Sequence, residues 1–190
     1  MKRLFIFLIL LFVLLVGCKT EVESNIKSVD KLDLIECSVE IRRKALDYAI
    51  KYKEADTEYE WGGQDPLRAI KIDCSGLVIR CYEYALQGNS LYKLPFSDTT
   101  VKNLYNEFSF KIDNPTPGDL VFMGEENSDK VTHIGIFVKI DENDNVYFID
   151  STLKDSNGDG IDDINGVTER FYKKNDKKIK SYGIMSVVKI

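Results

Sequence analysis

The sequence predicts an α+β fold in which N-terminal helices pack on an antiparallel sheet. Apolar residues recur at helical spacing over about residues 39–54 and again over about 74–86. From Pro117 onward the period of the apolar residues changes to two, as in strands. Helices followed by consecutive strands are typical of α+β proteins. The chain has 190 residues, which suits one domain and a leader.

The N-terminus is predicted to be a leader. Two basic residues precede an unbroken apolar run from Leu4 to Val16, too short for a comfortable membrane span and typical of a signal peptide. The run ends in Leu15-Val16-Gly17-Cys18, which resembles the bacterial lipobox, whose cysteine receives a lipid before cleavage. We therefore expect a signal peptide over residues 1–17, lipidation of Cys18, and export to the cell envelope with attachment to a membrane. The alternative is an ordinary cleaved signal, or a short anchor, that happens to contain cysteine.

Residues 18–37 are polar and charged, and we expect them to tether the lipid to a domain spanning residues 38–190. The first helix is predicted at about 39–54, with Ser38 as its N-cap. After a turn-rich stretch, the second helix is predicted from Cys74 to Leu86. Residues 97–108 can hold a third, short helix.

The strands are predicted from period-two patterning in the second half of the chain. A turn at Asp141–Asn145 joins two of them as a hairpin. The predicted strands are Leu120–Met123, Thr132–Ile140, Val146–Thr152 and Tyr182–Ile190.

Composition narrows the classes of partner. The formal net charge is −5, which gives no reason to expect nucleic acid. The lysines between Lys173 and Lys180 are predicted to be a solvated surface segment. We expect a monomer that meets a membrane only through its N-terminal lipid.

Cys74 and His133 are the candidate reactive pair. A cysteine in the first turn of a helix faces unpaired backbone N–H groups and the positive end of the helix dipole, which favour the nucleophilic thiolate. His133 is the only histidine in the chain, so any Cys–His mechanism must use it. Gly135, on the same face of its strand, leaves room for another group to approach. The alternatives are a buried inert cysteine and a structural histidine.

Asp150 lies on the next predicted strand. In an antiparallel hairpin it can reach His133 and orient the imidazole ring, which is the third role in a catalytic triad. It can equally be a carboxylate that caps a loop at the strand end. Of the other cysteines, Cys37 and Cys81 can form a disulfide, and the sequence leaves this open.

Four motifs, in order, resemble the NlpC family of papain-like cell-wall endopeptidases. They are Tyr59–Gly63, Asp73–Leu77, Pro117–Phe122 and His133–Ile136, within about residues 40–155. The resemblance implies a papain-like fold with the nucleophile at the start of a helix.

The resemblance also implies the roles of single residues. Cys74 is implied to be the nucleophile and His133 the base. Asp150 stands where the family often has histidine, so it departs from the commonest choice for the third residue. Tyr59, Asp73 and Ser75 are implied to line the substrate site.

The implied activity is a cysteine peptidase that cuts peptidoglycan stem peptides between D-glutamate and a diamino acid, with no cofactor required. One alternative is a papain-like amidase or acyltransferase on another substrate. Another is a non-catalytic lipoprotein that binds cell-wall peptides.

An acidic loop follows the predicted sheet strands. Its oxygen side chains at loop positions 1, 3, 5 and 9, with glycine at 6, resemble the first part of an EF-hand calcium loop. Position 12 is Gly166 rather than the usual glutamate. A structural calcium site is therefore one expectation, and a plain Asp/Asn/Gly turn is the other. The candidate ligands are Asp155, Asn157, Asp159 and Asp163.

Overall fold

The computed structural model describes residues 33–55, 57–65 and 71–190. The predicted signal peptide, residues 1–17, and Cys18 lie outside the described residues, so lipidation stays a prediction. Within the described part of the chain, no helix is long and apolar enough to cross a membrane.

The predicted helices are present close to their predicted positions. The first, α1, spans Val39–Glu54, and the Ser38 hydroxyl caps it by accepting a hydrogen bond from the Ile41 N–H at 3.4 Å. The second, α2, spans Cys74–Ala85. The third, α3, is shorter than predicted and spans Val101–Asn106. Helices α1 and α2 pack on each other, and α2 also packs on the sheet through its buried apolar face.

Most of the strands form one antiparallel sheet. Its order is β1-β10-β6-β7-β8-β9, with β4 and β5 also pairing with β10, while β2 and β3 pair separately. The strands are β1 Ile35–Glu36, β2 Gln64–Asp65, β3 Lys71–Ile72, β4 Tyr92–Lys93, β5 Ser109–Ile112, β6 Leu120–Met123, β7 His133–Ile140, β8 Asn145–Lys154, β9 Ile164–Lys173 and β10 Ile179–Lys189. The predicted α+β fold, with helices ahead of an antiparallel sheet, is confirmed.

Strand β9 is absent from the sequence prediction. It pairs with β8 along its whole length, from Asn145 opposite Lys173 to Lys154 opposite Ile164. Its outer residues, such as Phe171, are exposed. Because charged and apolar residues mix on both faces of β9, the pattern lacks the apolar alternation by which a half-buried strand is recognised.

The folded domain begins before the predicted boundary at residue 38. Ile35 and Glu36 form β1 on β10, and the Cys37 N–H donates to the Met185 carbonyl at 2.9 Å. The Cys37 side chain is buried. Residues 35–37 therefore belong to the domain rather than to the tether.

The described cysteines are free thiols. Cys37 and Cys81 are both buried and unpaired by disulfide. Burial raises the pKa of Cys37 to about 12 and also raises the pKa of Cys81. Both thiols are therefore protonated at neutral pH and poor nucleophiles.

Candidate active site

The start of α2 is held by Asp73, its N-cap residue. One carboxylate oxygen accepts the Gly76 N–H at 2.6 Å and the Ser75 hydroxyl at 3.0 Å, and the other accepts the Gly62 N–H at 3.0 Å. The cap thus ties the turn at Gly62 to the first turn of the helix. Asp73 and Ser75 both line the cleft described below, with Asp73 mainly engaged in this cap.

Two glycines bring that turn close to the helix. A Cβ atom at Gly76 would lie 2.5 Å from the Gly63 carbonyl oxygen, and one at Gly63 would lie 2.7 Å from the Lys71 carbonyl oxygen. Real side chains do not tolerate such approaches. The two motifs around Gly63 and Gly76 therefore form one packed unit, in which glycine is needed for close contact of backbones.

Cys74 is the first residue of α2 and is 7% exposed. Its position places the thiol beside the backbone N–H groups that have no partner within the helix. Tyr59 lies near enough to interact electrostatically. Burial, followed by the negative charges of Cys74 and Asp73, raises the pKa of the Tyr59 phenol, which stays protonated as a hydrogen-bond donor.

His133 and Asp150 come together from neighbouring strands. The His133 Nε2 atom lies 2.5 Å from the Asp150 Oδ2 atom. Gly135 makes room for this contact, since a Cβ atom there would lie 3.2 Å from the Asp150 Cβ and 2.9 Å from the Ile149 carbonyl oxygen. Because Nε2 is engaged by Asp150, Nδ1 is the ring nitrogen left to face Cys74.

Strand β8 is also joined to the residues before α2. The Ser151 hydroxyl donates to the Ile72 carbonyl at 2.5 Å, and Ser151 is fully buried. Ser151 follows Asp150 directly, and Ile72 precedes Cys74 by two positions. This hydrogen bond therefore fixes β8, which carries Asp150, relative to α2, which carries Cys74.

The protonation of the pair follows from its surroundings. Burial lowers the pKa of His133, but hydrogen bonds to Asp150 and Cys74, and their negative charge, outweigh it and raise the pKa from 6.5 to about 9. Burial raises the pKa of Asp150, but hydrogen bonds from His133 and Arg170 outweigh it and keep the pKa below its ordinary value. At neutral pH the arrangement favours an ionised Asp150 beside a protonated His133.

Arg170, on β9, is the site residue that sequence reasoning misses. Its Nε atom lies 3.0 Å from the Asp150 Oδ1 atom, its Nη2 atom also donates to Asp150 Oδ2, and Nη2 lies 3.5 Å from the His133 Nε2 atom. The alternation Thr168, Arg170, Tyr172 puts Arg170 on one face of a strand, but it does not show that this face meets Asp150, which depends on the pairing of β9 with β8.

Cys74 lines a cleft of about 710 Å³. The cleft lies between the turn at Trp61, the start of α2, the N-terminal end of α3 and Val131–Thr132. Trp61 is 86% exposed at this cleft rather than packed in a core. A volume of this size accommodates a short peptide.

A second hollow, of about 340 Å³, lies on the Asp150 side of His133. Thr132 lines both the cleft and this second hollow, whereas His133 lines only the second hollow. Arg170 and Tyr172 form part of its wall.

The acidic loop lies apart from these residues in the chain and bonds to itself. Asp155 accepts the N–H groups of Gly158 and Gly160 at 2.6 and 2.7 Å, and Asp163 accepts the Ser156 N–H at 2.8 Å. Asn157 and Asp159 likewise accept backbone N–H groups two positions on. Within the described residues, no three His, Cys, Asp or Glu side chains are gathered as a metal site. Calcium binding at this loop stays a prediction.

Comparison with known proteins agrees with the motifs. The NlpC/P60 family model matches residues 56–180. Among solved structures, a protein similar to a lipoprotein of the NLP/P60 family, from Staphylococcus aureus subsp. aureus, has 23% sequence identity and a TM-score of 0.52. The match covers 80% of this chain and 44% of that one, so this chain spans less than half of that protein. The likeness concerns the fold. Among curated proteins, no sequence matches the chain.

Proposed function

Because the chain belongs to the NlpC/P60 family, we propose that it is a cell-wall cysteine peptidase with Cys74 as nucleophile and His133 as general base. Members of this family are in general cysteine peptidases. The observation that carries the proposal is the 2.5 Å contact of the His133 Nε2 atom with Asp150 Oδ2. The imidazole also interacts with Cys74, whose thiol lines a cleft large enough for a peptide.

Acylation begins at the thiol. The Cys74 sulfur attacks the carbonyl carbon of a substrate amide while His133 holds the proton taken from the thiol. Negative charge develops on the carbonyl oxygen, and the backbone N–H of Cys74, at the positive end of α2, is suited to stabilise it. Asp150 binds the Nε2 atom of His133 and keeps the ring in place, so that Nδ1 faces the Cys74 thiol.

Collapse of the tetrahedral intermediate breaks the carbon–nitrogen bond. His133 gives its proton to the departing amine, and the acyl group remains on Cys74 as a thioester. Water then attacks the thioester, with His133 accepting its proton, and the released thiol regains a proton. The cycle consumes one amide and one water and yields one carboxylic acid and one amine.

The substrate proposed is a peptidoglycan stem peptide, cleaved between D-glutamate and the diamino acid. The family supports this choice. We propose that Trp61 and Ser75, which line the cleft with Cys74, and Tyr59, whose phenol interacts electrostatically with Cys74, contact the substrate. We place the protein in the cell envelope, attached to a membrane through Cys18. A monomer suffices, because the proposed machinery comes from one chain.

The experiment is incubation of the purified protein with muropeptides, followed by mass analysis of the products. Hydrolysis adds the mass of one water across the cleaved amide, whereas an acyltransferase joins the acyl group to another amine. A binding protein without catalysis leaves the muropeptides intact. The proposal predicts new free amino groups on the diamino acid, which disappear with Cys74→Ala.

A further inference from the structure

The Asp150 carboxylate is fully buried and held from two sides. His133 binds one of its oxygens, and Arg170 binds both, with Nε at 3.0 Å from Oδ1 and Nη2 on Oδ2. A buried carboxylate with one partner would keep unsatisfied lone pairs and rotational freedom about its last bond. Two parallel hydrogen bonds from the planar Arg170 guanidinium satisfy those lone pairs and stop that rotation.

Arg170 is itself fixed in place. Its side chain is 13% exposed and lies over two aromatic rings, with its Cζ atom 5.5 Å from the centre of the Phe148 ring and 5.8 Å from that of Tyr172. Such stacking orients a guanidinium without competing for its N–H donors. The fork that meets Asp150 is therefore built by β8 and β9 before any substrate binds.

We propose that Arg170 is a positioning residue that acts through Asp150: it fixes the carboxylate in one orientation and shares its charge, so that His133 presents Nδ1 to Cys74. The proposal rests on the peptidase function proposed above. Arg170 and His133 compete for the same oxygen, Oδ2, with 3.5 Å between Arg170 Nη2 and His133 Nε2. The positive charge of Arg170 therefore also limits how far Asp150 raises the pKa of His133.

Other charges near His133 bear on any test by titration. Asp150 and Arg170 both approach the Nε2 atom of the ring, and Cys74 also interacts with the imidazole. The hollow on the Asp150 side adds a surface carboxylate and two ammonium groups, which remain unchanged in the variants below; they are Glu125, Lys154 and Lys178.

The single histidine makes the test direct, because ¹³C-labelled histidine gives one imidazole signal for the whole chain. Arg170→Gln removes a cation near Nε2, so the pKa of His133 should rise while Asp150 stays ionised. The kcat for muropeptide hydrolysis should fall about tenfold or more, as expected when a catalytic group loses its orientation. Lys173→Gln is the matched control: it removes the same charge from the same strand, where the Lys173 ammonium bonds only the Asn143 carbonyl among the contacts described. Lys173→Gln should change neither the pKa of His133 nor kcat.

Two further variants separate positioning from charge and from folding. Arg170→Lys retains the charge but not the planar fork, so it should restore the pKa of His133 more fully than kcat. In the Asp150→Asn background, Arg170→Gln should cause little further loss of kcat, because its effect passes through Asp150. An unchanged pKa of His133 in folded Arg170→Gln, or losses that multiply fully in the double variant, would overturn the proposal.

The titration needs no substrate, so the two proposals can fail separately. If wild-type protein cleaves no muropeptide, the peptidase function fails, while the pKa of His133 in Arg170→Gln still decides whether Arg170 acts on the Asp150–His133 pair. The rate at which iodoacetamide modifies Cys74 gives a second readout, and it should change in Arg170→Gln but not in Lys173→Gln.

Discussion

The Nε2 atom of His133 lies 2.5 Å from the Oδ2 atom of Asp150, although the two residues are 17 positions apart on neighbouring strands. The antiparallel pairing of β7 with β8 brings them together, and Gly135 leaves the space between them. Several measurable properties of the site depend on this contact.

The first is the titration of His133. Its pKa is raised to about 9, so ¹³C-histidine NMR should show the imidazolium persisting well above neutral pH. Asp150→Asn should lower the pKa of His133, because it removes the negative charge that outweighs the effect of burial on the imidazole. Because the unfolded value is near 6.5, protonation of His133 stabilises the fold fully below about pH 6.5, and that contribution is lost as the pH rises toward 9. A wild-type pKa at or below 6.5 would contradict the ion pair.

The second is the space at Gly135. Gly135→Ala places a methyl group against Asp150 and the Ile149 carbonyl, which should displace the carboxylate from His133. We expect kcat to fall on the order of 10²-fold and the free energy of unfolding to fall by about 1–3 kcal/mol. Kinetics and denaturant titration measure the two effects. Lys139→Ala, at an exposed position of the same strand, serves as the control and should retain both. Wild-type kcat in Gly135→Ala would show that the close approach is not needed.

Much of the framework could be predicted from the sequence, since it follows from local patterns. Helix α1 shows its apolar stripe and its Ser38 cap, and β6 occupies the predicted residues Leu120–Met123. The contact of His133 with Asp150 could be anticipated too, because it needs only a hairpin and the period-two geometry of strands.

What could not be predicted depends on long-range pairing. Arg170 becomes a neighbour of Asp150 only through the register of β9 on β8, which places Thr168 opposite Asp150 and Arg170 opposite Phe148. No local pattern specifies that register. Likewise, the burial of Cys37 depends on the two-residue strand β1, which forms by pairing with β10.

The calcium prediction for the acidic loop can be tested by thermal unfolding. If the loop binds calcium in the folded state only, millimolar calcium should raise the Tm relative to chelator, by an amount corresponding to about 2.7 kcal/mol at a hundredfold excess over Kd. Asp155→Asn should remove the increase, because Asp155 is the first of the four candidate ligands. Identical melting curves with calcium and with chelator would leave a turn held by its own backbone N–H groups.

Lipidation at Cys18 predicts how the protein partitions between detergent and water. Wild-type protein expressed in a bacterium with the lipoprotein machinery should enter the detergent phase, because a covalent lipid adds buried methylene groups. Cys18→Ser should remain in the aqueous phase if its leader is removed by another route, or be retained as precursor. Processed wild-type protein found in the aqueous phase, like the variant, would rule out the lipid anchor.

The central claim is that Cys74 is the nucleophile, and Cys74→Ala tests it most directly. Cys37→Ser and Cys81→Ser are the matched controls, since their thiols are buried, protonated and outside the cleft. The measurement is turnover of muropeptides by each folded variant, followed by mass analysis. The account predicts no detectable hydrolysis by Cys74→Ala and retained hydrolysis by any control that still folds. Wild-type turnover by Cys74→Ala, on a substrate that the parent protein cleaves, would contradict it.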